Sequence, residues 1–437
     1  MKELKKDTEK KTEKEKDIIL VLGILKSMGE TIEEFKNSEN ANYKFAAIYS
    51  SKKPLTDLQK KSLKFFDIKI PCDFHSNESI EKALRPYKDR LLAVTCRAEA
   101  NIPLFQKLIP NIPYLNTPTT ESLEWATNKV QMRKRLRSFE KKISPAFLVV
   151  NKSNKETIAK IEEKVSYPLM VKPAGLAASV LVSVCYHREE LEQALEKTFR
   201  KINGAYKAYE GRGTPQVLVE QFMEGEMYSI DAYVGSTGSV TYCPMVHIKT
   251  GFAVGFSDDF FGYRQITPTR LKFENVRAAR ETAGKAIVAL GLRSVTAHVE
   301  LMRTEDGWKI IELGPRVGGF RDNLYKLSYG FDHGVNDILT RIPGRKPKMY
   351  KKVLGHTVAM KFFAKEEGTI VSILGLKKIE KLDSFFDIRV NKKRGDRAVF
   401  AKHGGKSIFD LTMFNEDRSQ LLADIRRVEK AVIIRVQ

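Results

Sequence analysis

The chain has 437 residues, 42% hydrophobic and 30% charged, the balance of a globular protein too long for one ordinary core; two to four domains are expected. No apolar run approaches the roughly 18 residues of a membrane span, and the Lys/Glu-rich N-terminus is no signal peptide, so the protein reads as cytoplasmic with no membrane partner. The net charge of +22 raises nucleic acid as a partner, but half of it falls from Arg345 onward (22 basic against 11 acidic residues) with no periodic stripe or aromatic RNA-binding signature, so no specific nucleic-acid binding is expected.

Residues 1–16 are low-complexity and charged and read as a disordered tail or frayed helix. Asp17–Gly23 (DIILVLG) then has the form of a buried parallel strand, repeated at Phe45–Ser50 and Leu91–Cys96. Strands alternating with helical segments predict an open α/β domain to about residue 120. It lacks G-x-G-x-x-G after its first strand, so no dinucleotide site is assigned. A helical pattern follows over Thr119–Leu136, carrying Lys129. Ser166–Val184 reads as a strand, a small-residue loop and a second strand. Lys172 ends the first of these, where a point charge can reach phosphates, and Gly175–Ser179 form a lid loop with backbone N–H groups to offer. In Gln216–Val234, Leu218, Glu220 and Phe222 alternate onto one strand face. Lys249 is either a substrate-side cation or a loop lysine. Leu271–Leu290 is an amphipathic helix ending at Gly291. The four cysteines (Cys72, Cys96, Cys185, Cys243) show no C-x-x-C spacing and read as reduced thiols rather than a zinc site or disulfides.

Ala297–Gly319 (AHVELMRTEDGWKIIELGPRVGG) reads as a β-hairpin around Thr304–Gly307. A three-residue loop Glu305–Asp306–Gly307 sets Thr304 opposite Trp308 and, counting back, Glu300 opposite Glu312. A two-residue Asp306–Gly307 turn puts the glutamates on opposite faces instead. The first register is favoured, because facing carboxylates are tolerated where a cation sits between them, whereas an unpaired charge among apolar neighbours is costly. His298 shares the Glu300 face, as a ligand-side group or as a satisfied core histidine. Beyond Glu312, the glycines of Gly314-Pro315-Arg316-Val317-Gly318-Gly319 permit close backbone approach, and Arg316 supplies a fork for phosphate or carboxylate.

The pattern H-x-E, a dozen residues, then E-x-x-x-R-x-G-G resembles the end of the nucleotide site in the ATP-grasp superfamily. That family couples ATP cleavage to joining a carboxylate to an amine or other nucleophile through an acyl phosphate. The resemblance implies an α/β fold with an α+β ATP-grasp core. Its parts are an N-terminal pre-domain at 17–120, a two-lobed ATP-grasp domain at 121–343 with its lid at about 140–220, and a C-terminal β-rich domain at 353–437. It further implies ATP binding by Lys129, Lys172, Ser179, Glu220, Gln221, Phe222, Met223 and Glu226. The backbone of Gln221 and Met223 would read the adenine, and Glu220 would pair its amino group. Met227 stands where the ribose-binding glutamate is usual, so Glu226 takes that role after a slip or the contact is lost. Glu300 and Glu312 would hold one or two Mg²⁺ (or Mn²⁺), Gly314 replacing a common third ligand, asparagine. Arg316 would be catalytic, with His298, Gly318, Gly319, Phe320 and Arg321 on the substrate side. The chain lacks the glutamine and glutamate that follow the arginine in carboxylases, and it has no M-K-M segment. Its R-x-G-G form looks more like ligases that make dipeptides or condense amino acids. Small-molecule carboxylate and amine substrates are therefore expected, with a homodimer common in the family. The competing readings are a nucleotide-pathway ligase and an ATP-binding module without turnover.

Overall fold

The computed structural model describes residues 16–25, 27–39, 42–176, 180–209, 211, 213–256, 259–350 and 352–437. The expected tail, Lys16 apart, and Ser179 of the lid loop lie outside the described residues. The chain forms two compact units, one reaching to Thr117 and including Arg341–Arg345, the other comprising Pro118–Thr340 and Lys346–Gln437.

The first unit is built on β1 (Ile18–Leu22), β2 (Lys44–Ser50), β3 (Ile68–Cys72) and β4 (Leu91–Thr95), a parallel sheet in the order β3-β2-β1-β4. All five residues of β1 are buried, as its continuous apolar run requires when helices cover both faces.

The second unit holds the remaining sheets. The lid sheet has β5 (Phe147–Val150), β6 (Leu169–Pro173), β7 (Ser183–Cys185) and β8 (Val217–Gln221), antiparallel in the order β5-β8-β6-β7. The long helix Arg188–Ala208 buries Leu191, Leu195 and Ile202, which join Val171, Val217 and Val219 in one core. The large nine-stranded sheet begins with β9 (Glu226–Val234), β10 (Val240–Tyr242), β11 (Val246–Thr250), β12 (Gly262–Thr267), β13 (Val295–Thr304) and β14 (Gly307–Gly314). Helix Phe273–Ala289 packs its alanine-rich face (Ala279, Ala283, Ala286) with Val295, Ala297 and Val299 of β13. Gly291, at φ +62°, closes that helix in the left-handed conformation glycine adopts without strain.

After residue 346 the chain continues the same sheet rather than forming a compact unit of its own. Strands β15 (His356–Phe362), β17 (Phe385–Val390) and β19 (Phe409–Asn415) extend it to the order β14-β13-β9-β11-β12-β15-β19-β17, with β10 paired to β9 off this path. The interleaved β16 (Gly368–Leu374), β18 (Arg397–Ala398) and β20 (Ile433–Val436) make a small antiparallel sheet. All four cysteines are buried free thiols. No helix among the described residues is long and apolar enough to cross a membrane.

The hairpin turn differs from the expected one. Thr304 pairs with Gly307, not Trp308, across a two-residue Glu305–Asp306 turn in which the Thr304 hydroxyl donates to the Gly307 carbonyl at 2.9 Å. That register alone would set Glu300 opposite Ile311. A β-bulge intervenes: Leu301 pairs with Ile310, Ile311 has no cross-strand partner, and Glu300 pairs with Glu312.

Candidate functional site

A cavity of about 570 Å³ lies between the lid sheet and the large sheet of the second unit. Lys129, Lys172, the stretch Glu220, Gln221, Phe222, Met223 and Glu226, and the pair Glu300 and Glu312 all line it. Lys249 and His247 of β11 line it as well.

Its cationic side starts from one helix. The Asn128 side chain caps Lys129–Phe139 by accepting from the Val130 and Gln131 amides, which fixes Lys129 in the first turn. The Lys129 ammonium donates to the Leu176 carbonyl at 2.8 Å and lies 3.4 Å from Glu312, joining the lid loop to the large sheet. One turn on, Arg133 is buried, with Nε 2.5 Å from Glu220 Oε1 and a terminal nitrogen donating to the Ile311 carbonyl at 2.7 Å. The bulge residue is thus held by the same guanidinium that holds Glu220. Lys172, near the end of β6, closes the cluster at 2.6 Å from Glu220 Oε2. Burial opposes ionisation of Glu220, but the charges and hydrogen bonds of Arg133 and Lys172 win and hold its carboxyl down at about 2. Burial lowers the Lys172 pKa, with Glu220 opposing. Both Glu220 oxygens therefore face cations; the carboxylate anchors Lys172 and Arg133, where the sequence reading gave it the adenine amino group.

Beyond β8 the chain turns through Phe222–Gly225 along the cavity wall. Phe222 packs with Phe252 and Phe260, each at 6.1 Å between centroids, and those two rings stack at 5.1 Å. This apolar wall suits a flat aromatic base. Gly225, at φ +148°, brings its backbone so close to β13 that a Cβ would stand 2.0 Å from the Arg303 carbonyl. Glu226 lies more than half exposed, accepting from the Tyr228 hydroxyl at 3.0 Å and lying 3.5 Å from Arg303.

The anionic side is the hairpin. Glu300 and Glu312 are direct cross-strand partners on the cavity face, with side chains 30% and 38% exposed. Two facing carboxylates open to a cavity fit a hard divalent cation, with phosphate oxygens and water completing its shell. Among the described residues no group of three or more His, Cys, Asp or Glu could enclose a metal without such help. Burial raises the Glu300 pKa, but the His298 hydrogen bond and charge, then Arg316 and Arg321, lower it overall.

His298 is buried beneath this pair, its Nε2 3.4 Å from Glu300 and its Nδ1 2.6 Å from Asp231. Asp231, absent from the sequence reading, is fully buried. It also accepts from the Gly318 amide at 2.8 Å and lies 2.8 Å from His333 Nε2, whose Nδ1 is 2.5 Å from the Tyr233 hydroxyl. Gly318 sits so tightly here that a Cβ would lie 2.5 Å from His298 Nδ1. Arg321, expected near the substrate, is 1% exposed and donates to Gln265 at 2.6 Å, Ser229 at 2.6 Å and the Gly319 carbonyl at 2.9 Å. It is a strut under the glycine loop. Phe320 adopts φ +63° at the start of helix Arg321–Tyr329. Arg316 lies over Gly314, where a Cβ would stand 3.5 Å from its guanidinium carbon. His298, Arg316, Gly318, Gly319, Phe320 and Arg321 thus lie beside the cavity, outside its lining.

Arg133, buried behind the cavity lining, was legible only as a residue on the Lys129 face of its helix, from the i+4 spacing. Asp231 was legible as an acid inside the apolar strand SIDAYV. Nothing in the sequence marks His333.

Residues 165–323 match the family model described as ATP-grasp domain. The uncharacterized protein y4rH of Sinorhizobium fredii is 25% identical over 71% of this chain and 61% of its own length. A D-alanine–D-alanine ligase of Enterococcus faecalis is 33% identical over 31% of this chain and 36% of its own. The chain thus covers under two thirds of either relative. Among solved structures, an L-amino acid ligase from Bacillus licheniformis superposes with a TM-score of 0.73 at 20% identity, over 97% of this chain and all of that one. A phosphoribosylglycinamide synthetase from Anaerococcus prevotii gives 0.65 at 18% identity over 96% and 100%. The α/β fold is that of these two solved structures, and residues 165–323 are similar to the ATP-grasp domain.

Proposed function

We propose that this ATP-grasp protein is an ATP-dependent ligase that joins a small-molecule carboxylate to an amine, releasing ADP and phosphate. The observation that carries the reading is the convergence on one cavity of two lysines, Lys129 and Lys172, and a facing carboxylate pair, Glu300 and Glu312. Cations for phosphates and acids for a metal, set between two lobes, suit a metal-bound polyphosphate. The similarity to proteins named D-alanine–D-alanine ligase and L-amino acid ligase points to amino acids as substrates.

In this reading the adenine lies along Phe222 and the Gln221–Met223 backbone, and Lys129 and Lys172 hold the phosphates. Glu300 and Glu312 would hold Mg²⁺, which would supply charge neutralisation to the phosphates. A substrate carboxylate oxygen attacks the γ-phosphorus, the bond to the β-phosphate oxygen breaks, and ADP leaves. The amine then attacks the acyl carbon, loses a proton, and phosphate departs with the former carboxylate oxygen. Arg316 stabilises the transferring phosphoryl group and the tetrahedral centre. The Asp231–His298 pair and Arg321 keep Glu300 and the Gly318–Gly319 loop in place.

The test is nucleotide fate with Mg²⁺ and a pool of the twenty amino acids. ADP and phosphate appearing only with the pool supports the reading. AMP and pyrophosphate overturn it, and ADP formation restricted to phosphorylated substrates assigns the protein to a nucleotide-type ligase instead.

A further inference from the structure

One face of the large sheet extends well past the carboxylate pair. Cross-strand partners share a face, and residues two apart in a strand share it too. Glu300 pairs with Ser229 and Ser229 with Val246; Ile248 pairs with Gln265 and Gln265 with Ala359. Two residues beyond Ala359 on β15, Lys361 therefore lies on the Glu300 face, opposite Asp410 of β19. Four strand spacings separate β13 from β15, about 19 Å along a flat sheet. The glycine loop links the two: Gly318 packs on His298, which lies 3.4 Å from Glu300, and Phe320, two residues on, stands beside Lys361.

The other charged groups of this floor are committed. Arg321 is held by Gln265, Ser229 and the Gly319 carbonyl. Asp410 is bound by Arg389 at 2.5 Å, by Ser407 at 2.6 Å and by Asn391 at 3.2 Å. Lys361 is different. Its ammonium stands 5.4 Å from the centre of the Phe320 ring, directly after the glycine pair, and among the described residues no carboxylate lies within ion-pair distance of it. Burial lowers its pKa against the pull of Asp410 and Glu300. A half-buried ammonium facing an aromatic ring, with no acid in contact, is a receptor for an anion brought by a ligand.

The ligand class follows if the proposed ligation is right, on which this inference rests. The activated carboxylate reacts beside Glu300 and Glu312. When the amine substrate is itself an amino acid, it carries a second carboxylate that does not react and needs its own cation. We propose that Lys361 is this specificity-determining residue: it binds the free carboxylate of the amine-side amino acid against the Phe320 ring.

The test uses the full-length protein with a reactive donor and acceptor pair identified by mass spectrometry of products from the twenty-amino-acid pool. The acceptor amino acid is then compared with its own amide, in the wild type and in Lys361→Met and Lys361→Arg. Wild type is expected to favour the acid over the amide by on the order of 100-fold in kcat/KM, the worth of a charge-assisted contact. In Lys361→Met that preference collapses through a raised KM for the acid, while KM for ATP and for the donor stays unchanged. Lys361→Arg retains much of the preference, which separates lost charge from lost folding; thermal midpoints of both variants check the latter. A Lys361→Met protein that still prefers the acid by the wild-type factor overturns the role of Lys361 and leaves the ligase reading standing. No condensation of any pair by wild type overturns the ligase reading, and this inference with it.

Discussion

Glu300 and Glu312 face one another because Ile311 is one residue too many for its strand. The turn at Glu305–Asp306 sets a register in which the two acids would miss, and the bulge shifts it by one. The Ile311 carbonyl, left without a ladder partner, is taken by Arg133, so a residue of the cationic cluster stabilises the geometry of the anionic one.

Glu300→Gln and Glu312→Gln are each expected to slow ATP turnover by about 10²- to 10³-fold. Both are expected to abolish the rise in thermal midpoint that Mg²⁺ with ATP produces in the wild type. With Mn²⁺ in place of Mg²⁺, paramagnetic broadening centres on these two side chains; no broadening at either contradicts the metal assignment.

Arg133→Leu removes one of two cations from buried Glu220 and strips the Ile311 carbonyl of its donor. A loss of about 3–5 kcal/mol is expected in denaturant unfolding, because a buried charge is left half-paired. Combining it with Glu220→Gln is expected to cost less than the sum of the single changes, since the stranded charge is then gone.

Acid stability provides a separate check. The Glu220 carboxyl ordinarily titrates at 4.5 and is held at about 2 in the folded protein. Because the folded value is the lower one, its contribution is fully present above the unfolded value and is lost as pH falls through 4.5 towards 2. That contribution is on the order of 3 kcal/mol. Unfolding free energy measured from pH 6 to pH 2 is expected to fall less steeply in Glu220→Gln than in the wild type.

The glycine pair separates into two different roles. A Cβ at Gly318 meets His298 Nδ1 at 2.5 Å and Arg321 Cγ at 2.8 Å, whereas a Cβ at Gly319 meets nothing within 4 Å. Gly318→Ala is expected to cost about 1–3 kcal/mol of stability and most of the turnover, through displaced His298 and Arg321. Gly319→Ala is expected to fold with an unchanged thermal midpoint.

The strands and most of the charged residues lining the cavity were legible in the sequence, because apolar periodicity and charges placed on strands or at helix starts are local signals. Lys129, Lys172 and Glu312 needed only their place at a helix start or on a strand. The hairpin shows where local reasoning stops. Its pairing of glutamates was expected through a turn the chain does not make, and a bulge, invisible to turn chemistry, restores that pairing. Arg321 was misplaced for a related reason: whether an arginine meets substrate or props a loop depends on Ser229 and Gln265, from strands far away in the chain. His333 joins Asp231 across 102 positions, and no local pattern carries that.

The central claim, transfer of phosphate to a substrate carboxylate, is tested most directly with an amino-acid pool labelled with ¹⁸O in its carboxylates. Turnover through an acyl phosphate predicts one ¹⁸O atom in each phosphate released, together with unlabelled ADP. Label appearing in AMP, or phosphate released without label, would contradict the account.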